Sequence, residues 1–194
     1  MQKGEIWQHL PVRTGRFGRS FGRLGLRCLG GWKVVGRMPD IPKAVVPVAP
    51  HTSNWDFFVG VFAMFALGLK LSFLGKHSIF VFPVKRLLLS LGGIPVNRSN
   101  PNGVVGQMVE TFAERAQLLL ALSPEGTRSK VDEWKKGFLY IARDAKVPVV
   151  PVALDFSKRE LRIGQPIVVT DIDLGLQAVK NFTQQARGKR PEFE

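Results

Sequence analysis

Residues 44–75 read AVVPVAPHTSNWDFFVGVFAMFALGLKLSFLG, and their pattern decides the fold. Ala44–Ala49 is a short apolar run with three valines, closed by Pro50. A polar stretch from His51 to Asp56 follows, then an uncharged apolar run from Phe57 to Leu69. Leu71–Gly75 is apolar again. The expected order is strand, loop, helix over Asp56–Leu69, strand. A strand that returns through a helix to another strand is the unit of a parallel sheet. The thirteen residues of Phe57–Leu69 fall short of the roughly 20 that span a bilayer. They read as a core helix or a partly interfacial one.

The alternation continues outward. Upstream, Trp32–Met38 reads as a strand. Downstream, Pro83–Leu91 reads as a helix with Pro83 in its first turn, and Gly93–Asn97 as a short strand. The turn signal Asn100-Pro101-Asn102-Gly103 precedes a helix over Val104–Arg115. Leu118–Leu122 is a buried strand by its unbroken apolar run. Gly137–Ala145 reads as a helix and Val147–Leu154 as a strand. Leu161–Ile163 and Pro166–Val169 form a late pair of strands, and Leu174–Ala186 a closing helix. The expectation is an α/β fold: a single layered domain over residues 32–194, with a mostly parallel central sheet flanked by helices. A basic segment, residues 1–31, precedes it.

Composition narrows the chemistry. The chain has 194 residues, 45% hydrophobic and 22% charged, which argues against disorder. Its one cysteine, Cys28, allows no intramolecular disulfide and fits a reducing compartment. Three histidines, His9, His51 and His77, do not furnish a His-rich metal centre. No metal is expected. The net charge of +13 draws the chain to polyanions: nucleic acid, an anionic membrane surface or phosphorylated ligands.

Residues 1–40 carry +6 of that excess. Arg13, Arg16, Arg19, Arg23 and Arg27 step by three and four, one face of a helix. Phe17, Phe21, Leu24 and Leu29 supply an apolar complement, as in a helix that lies in a membrane interface. The same pattern fits a solvated charged face laid over the domain. Gly15, Gly18, Gly22 and Gly25 weaken the helix by about 1 kcal/mol each relative to alanine. Residues 1–16 lack the apolar stretch of a secretory leader, and none is expected.

Four stretches hold residues that do chemistry. His51 follows a strand, where an α/β sheet sets its functional loops. Asp56 lies five residues on, in the first turn of the next helix. A carboxylate accepting from one imidazole nitrogen fixes the tautomer and leaves the other nitrogen to take a proton from an alcohol. The spacing equally fits an ordinary helix start, with Ser53 or Asn54 as cap and Asp56 facing the helix dipole. Ser123-Pro124-Glu125-Gly126-Thr127-Arg128-Ser129 also follows a strand. Its glycine permits close backbone approach, and Arg128 offers a fork of donors for phosphate. Gly92–Arg98 delivers Arg98 to the same edge. Val147–Val152 is a strand punctuated by prolines.

In this order the blocks resemble those of the glycerolipid acyltransferases of the lysophosphatidate (1-acylglycerol-3-phosphate) acyltransferase type. His51-Thr52-Ser53-Asn54-Trp55-Asp56 resembles the family's H-x4-D catalytic block. Gly93–Arg98 resembles its second block, and Glu125-Gly126-Thr127-Arg128-Ser129 its E-G-T-R-S block. Val147–Pro151 resembles the proline-bearing fourth. The likeness runs from about Gly36 to about Asp155. It implies His51 and Asp56 as catalytic residues, and Lys76, Arg98 and Arg128 as contacts to the acceptor's phosphate. Glu125, Gly126 and Thr127 are implied as the acceptor-binding loop. Asn97 stands where an acidic residue is common.

The resemblance also implies an O-acyltransferase that needs no cofactor. Acyl-CoA or acyl carrier protein serves as co-substrate, and a lysophospholipid or another lipid alcohol as acceptor. No enzyme nucleophile is required, so no acyl-enzyme is expected. Attachment is expected to be peripheral, on the cytoplasmic side of an anionic membrane. Competing classes fare worse. The charge alone would suit a nucleic-acid-binding protein, but no RNA or DNA motif is present and no nucleic-acid partner is expected. A lipid hydrolase lacks its G-x-S-x-G elbow. A non-catalytic lipid-binding protein would have no use for both His51 and Asp56.

Overall fold

The structure, a computed structural model, describes residues 8–13, 15–96, 101–127 and 133–193. In chain order its elements are α1 (Arg16–Cys28), β1 (Lys33–Val35), β2 (Lys43–Ala49), α2 (Trp55–Leu67) and β3 (Leu71–Lys76). There follow α3 (Val84–Ser90), β4 (Gly93–Val96), α4 (Pro101–Glu114), β5 (Leu118–Leu122) and α5 (Gly137–Asp144). The chain continues with β6 (Val152–Asp155), β7 (Glu160–Ile163) and α6 (Ile172–Thr183). The strands form one seven-stranded sheet in the order β1-β7-β6-β2-β5-β3-β4. Strands β2 to β6 run parallel. β7 is antiparallel to β6 and parallel to β1, so that edge runs against the rest.

Side-chain alternation divides the core between the two faces of the sheet. Ala44, Val46 and Leu119 pack with α1 and α2. Val45, Leu118 and Leu120 pack with α4, α5 and α6. Period-two alternation of a central strand requires this division. The connections leaving β2 and β3 step towards β4, whereas those leaving β4 and β5 step back towards β6. Right-handed crossovers therefore send α2 and α3 to one face and α4 and α5 to the other. β2 and β5 are neighbours whose outgoing connections diverge. Such a divergence opens a crevice at the strands' carboxyl ends.

Several elements differ from the sequence expectation. Val147–Leu154 is not one strand. Val149 makes isolated bridges to Val45 and Ile167, and the ladder resumes only at β6. Pro148 and Pro151 have no N–H to donate, so continuous pairing is interrupted there. Of Pro166–Val169 only the Ile167 bridge forms. β1 is shorter than Trp32–Met38 because Gly36 turns the chain at φ 87°. α6 begins at Ile172, ahead of Leu174, because the Asp171 carboxylate accepts from Leu174 N at 2.8 Å and caps the helix.

The glycines of α1 act against the expectation of a weakened helix. A Cβ on Gly22 would overlap the backbone of Phe62 and Ala66, and one on Gly25 would overlap the Phe62 ring. Both glycines are buried against α2. The propensity cost of about 1 kcal/mol per glycine is offset by backbone-to-backbone approach. The Phe21 ring lies tilted against Phe62 and edge-on to Phe65, with centroids 5.4 and 5.8 Å away. Arg13 N donates to Gly68 O at 2.8 Å and Lys70 N to Pro11 O at 2.8 Å, which fixes the entry to α1 beside the end of α2. Further upstream, the Asp40 carboxylate accepts from the backbone N–H groups of Gln8, His9 and Leu10, each at 3.0 Å. The bond from His9 leads in holding the Asp40 carboxyl down to about 2, against an opposing push from burial.

Candidate active site

The parallel strands bring their carboxyl ends to one edge. His51 lies two residues past β2, and Glu125 three past β5. Lys76 is the last residue of β3, on the same edge, and is exposed. β4 also ends here, at Val96. Arg98 and Arg128 lie outside the described residues. The structure thus brings His51, Asp56 and Glu125 together at the crevice between β2 and β5.

His51 Nδ1 is 3.0 Å from Asp56 Oδ2. The His51 side chain is 23% exposed and that of Asp56 1%. The carboxylate also accepts from Ser53 N at 2.8 Å and from Ser53 Oγ at 2.9 Å. Ser53 Oγ accepts in turn from Trp55 N at 3.2 Å. Asn54, at the N-cap position of α2, makes no capping bond through its side chain. The structure therefore holds both features open to this spacing: Ser53 accepts from the first turn of α2, and Asp56 pairs with the His51 imidazole. An ionised Asp56 has no proton to give, so the proton between it and His51 sits on Nδ1. Nε2 is then left with its lone pair free to accept a proton.

Glu125 fixes the other side of the loop. Its buried carboxylate accepts from His51 N at 2.9 and 3.2 Å. The loop after β5 thereby holds the backbone of the loop after β2. Gly126 adopts φ +69°, and a Cβ there would press within 3.0 Å of the Lys135 side chain. Thr127 is exposed. Two further supports come from the chain's end: Arg190 N donates to Thr52 Oγ1 at 3.1 Å, and Lys189 Nζ sits 4.1 Å from the Trp55 ring centroid. Nothing local in residues 184–190 signals this docking. The Glu125 contact spans 74 positions, so only the coincidence of two loops after adjacent strands could have hinted at it.

The bond from His51 N to Glu125 gives a prediction. Glu125→Ala leaves that N–H without its acceptor and is expected to cost about 1–3 kcal/mol in urea denaturation. Glu125→Gln keeps a carbonyl oxygen there and is expected to recover most of the loss. Equal stability of the alanine variant and the wild type would rule out the clamp.

Among the described residues, no group of three or more His, Cys, Asp or Glu is arranged to hold a metal ion. None of the described helices is long and apolar enough to cross a membrane.

A family model described as Acyltransferase matches residues 34–155, from β1 through β6. A chloroplastic 1-acyl-sn-glycerol-3-phosphate acyltransferase of Brassica napus is 32% identical over 124 residues, 60% of this chain and 35% of its own length. The enzyme of that name from Cocos nucifera is 27% identical over 176 residues, 84% of this chain and 56% of its own. The chain thus spans about a third to a little over half of these relatives. The crystal structure of the 1-acyl-sn-glycerophosphate (LPA) acyltransferase from Thermotoga maritima superposes with a TM-score of 0.62 at 22% identity, covering 90% of this chain and 81% of that one. The two share a fold.

Proposed function

Because the chain belongs to the acyltransferase family, we propose that it transfers a fatty acyl group from an acyl thioester, on coenzyme A or acyl carrier protein, to a lysophospholipid hydroxyl. The acceptor is 1-acylglycerol-3-phosphate, the substrate in the names of the relatives. The observation that carries this reading is the 3.0 Å pairing of His51 Nδ1 with Asp56 at the carboxyl edge of the sheet.

The chemistry follows from that pairing. Nε2 of His51 takes the proton of the acceptor hydroxyl as its oxygen attacks the thioester carbonyl. Asp56 balances the charge on the imidazolium that forms. The tetrahedral oxyanion collapses, the carbon–sulfur bond breaks, and the imidazolium returns its proton to the departing thiolate. Lys76, Arg98 and Arg128 are assigned to the acceptor's phosphate. Binding that group fixes the hydroxyl against His51 and converts binding energy into proximity.

The transfer is direct, without an acyl-enzyme. Ser53 Oγ is bonded to Asp56 and to Trp55 N, which argues against a serine nucleophile. Rapid quenching with labelled donor is expected to trap no stoichiometric acylated protein.

Membrane contact is assigned to α1, on the cytoplasmic face of an anionic bilayer. Its glycine face lies on α2, and beside it Phe17 and Leu24 are 92% and 60% exposed. Arg16, Arg19, Arg23 and Arg27 are exposed as well. An apolar stripe bordered by arginines suits an interface of anionic lipid.

The test is incubation with a panel of lysolipids and other lipid alcohols and with both donors, read by mass spectrometry. Conversion of 1-acylglycerol-3-phosphate to the diacyl product is expected. Acylation of a different alcohol alone would reassign the acceptor, and no product from any pair would overturn the reading.

A further inference from the structure

A cavity of about 560 Å³ opens beside the first turn of α2. Its walls include Trp32, Trp55, Val59 and Phe156, and Arg159 and Lys189 stand at its rim. Trp32 and Phe156 meet edge to face, with centroids 4.7 Å apart and planes at 83°. Trp32, Phe156 and Arg159 belong to the β1-β7-β6 side of the sheet, whereas Lys76 ends β3 on the other side of β2. The cavity and Lys76 therefore lie on opposite sides of β2, and Trp55, in the cavity wall, immediately precedes Asp56.

Lys189 and Arg159 are exposed, and among the described residues neither has an ion-pair partner. The nearby acids are engaged elsewhere: Arg162 binds Asp155 at 2.8 Å and lies 3.9 Å from Glu160. One Arg159 nitrogen donates to Gly30 O at 2.6 Å, which leaves the rest of its fork to face a ligand.

The rim is also held in place. Arg162 donates to Gln185 O at 3.2 Å, Phe156 N to Arg187 O at 2.8 Å, and Arg190 N to Thr52 Oγ1 at 3.1 Å. These bonds set residues 185–190 across the β6–β7 turn and onto the residue after His51. A segment fixed this way presents Lys189 at low entropic cost.

We propose that this cavity takes the phosphopantetheine arm of the acyl donor, with Lys189 and Arg159 binding its phosphate. The inference rests on the acyl-transfer reading. Both substrates of that reaction are anionic, and the acceptor's phosphate is assigned to the Lys76 side. The donor's arm must then leave the imidazole in another direction. Aromatic walls suit the arm's methylene and amide chain, and the two rim cations suit its phosphate. A bare acyl chain would make no use of the cations. Coenzyme A and acyl carrier protein share this arm, so the cavity serves either.

The test uses the full chain and the double variant Lys189→Gln/Arg159→Gln. Both side chains are exposed, and a thermal melt checks that the fold is kept. Tryptophan fluorescence, with Trp32 and Trp55 in the wall, is titrated with 4′-phosphopantetheine, coenzyme A and unphosphorylated pantetheine. The variant is expected to bind the two phosphorylated probes about tenfold or more weakly and pantetheine as before. In turnover, the donor KM is expected to rise about as much, with kcat and the lysophosphatidate KM within about twofold. A rise with acyl-CoA alone, or with acyl carrier protein alone, names the carrier and supports the site. Unchanged affinity for 4′-phosphopantetheine, or a rise in acceptor KM instead, overturns it. If no thioester is turned over at all, the acyl-transfer reading fails, while the titration still decides the cavity's ligand.

Discussion

His51→Ala is expected to lower kcat for acyl transfer by about 10²- to 10⁴-fold, the usual worth of a positioned general base. The KM for the lysolipid acceptor is expected to stay within a few-fold, because the cations proposed to hold its phosphate are untouched. The protein should fold. The imidazole pairs with Asp56 and is partly exposed. Asp56 keeps two donors from Ser53 when the imidazole is gone. Backbone anchoring of the loop also survives, because Glu125 binds His51 through its N–H rather than its ring. Steady-state kinetics beside a circular-dichroism melt separates the two quantities. A kcat within tenfold of wild type, in a folded variant, would remove His51 from the chemistry. A rise in KM alone would make it a binding residue.

The site is partly legible in the sequence. A helix-bound Asp five residues after a post-strand His is a local relation, and local relations survive in sequence. The same holds for α2, which the apolar run places to within two residues at either end, and for β5, whose unbroken Leu118–Leu122 run reads as a buried strand. The missing pieces are non-local. Glu125 reaches His51 across 74 positions and Arg190 reaches Thr52 across 138, and no residue pattern announces either bond. Gly22 and Gly25 look like helix breakers by propensity. They act as contact surface because the partner helix, which propensity does not know, lies against them. Val147–Leu154 reads as a strand by apolarity, and its two prolines divide it because pairing needs N–H groups that they lack.

These non-local bonds give the site its shape. His51 is held from three directions: its ring by Asp56, its N–H by Glu125, and the next residue by the chain's end. The three holds come from the loop's own helix, the loop after β5 and the segment after α6. An imidazole fixed in this way needs little rearrangement to serve as the proposed base, which is the condition for proximity to lower the barrier.

Asp56→Asn tests that condition most sharply. All three groups that face this carboxylate are donors: Ser53 N–H, Ser53 O–H and the His51 Nδ1 proton. A carboxylate accepts from all of them, whereas an amide can accept through one oxygen only. If the amide oxygen takes the Oδ2 position, His51 keeps its tautomer, but no negative charge balances the imidazolium. If the amide nitrogen takes it, two N–H groups collide at Ser53, and His51 must accept through Nδ1 and surrender Nε2 as a base. Either way the base is impaired. The expected loss in kcat is about 10²- to 10⁴-fold, with acceptor KM little changed. Stability should fall by about 1–3 kcal/mol for the unpaired donor, read by urea denaturation. Asp56→Ala should lose at least as much of both. A folded Asp56→Asn protein with near-normal kcat would mean that the carboxylate only caps α2, and His51 would then lack the partner that makes it a base.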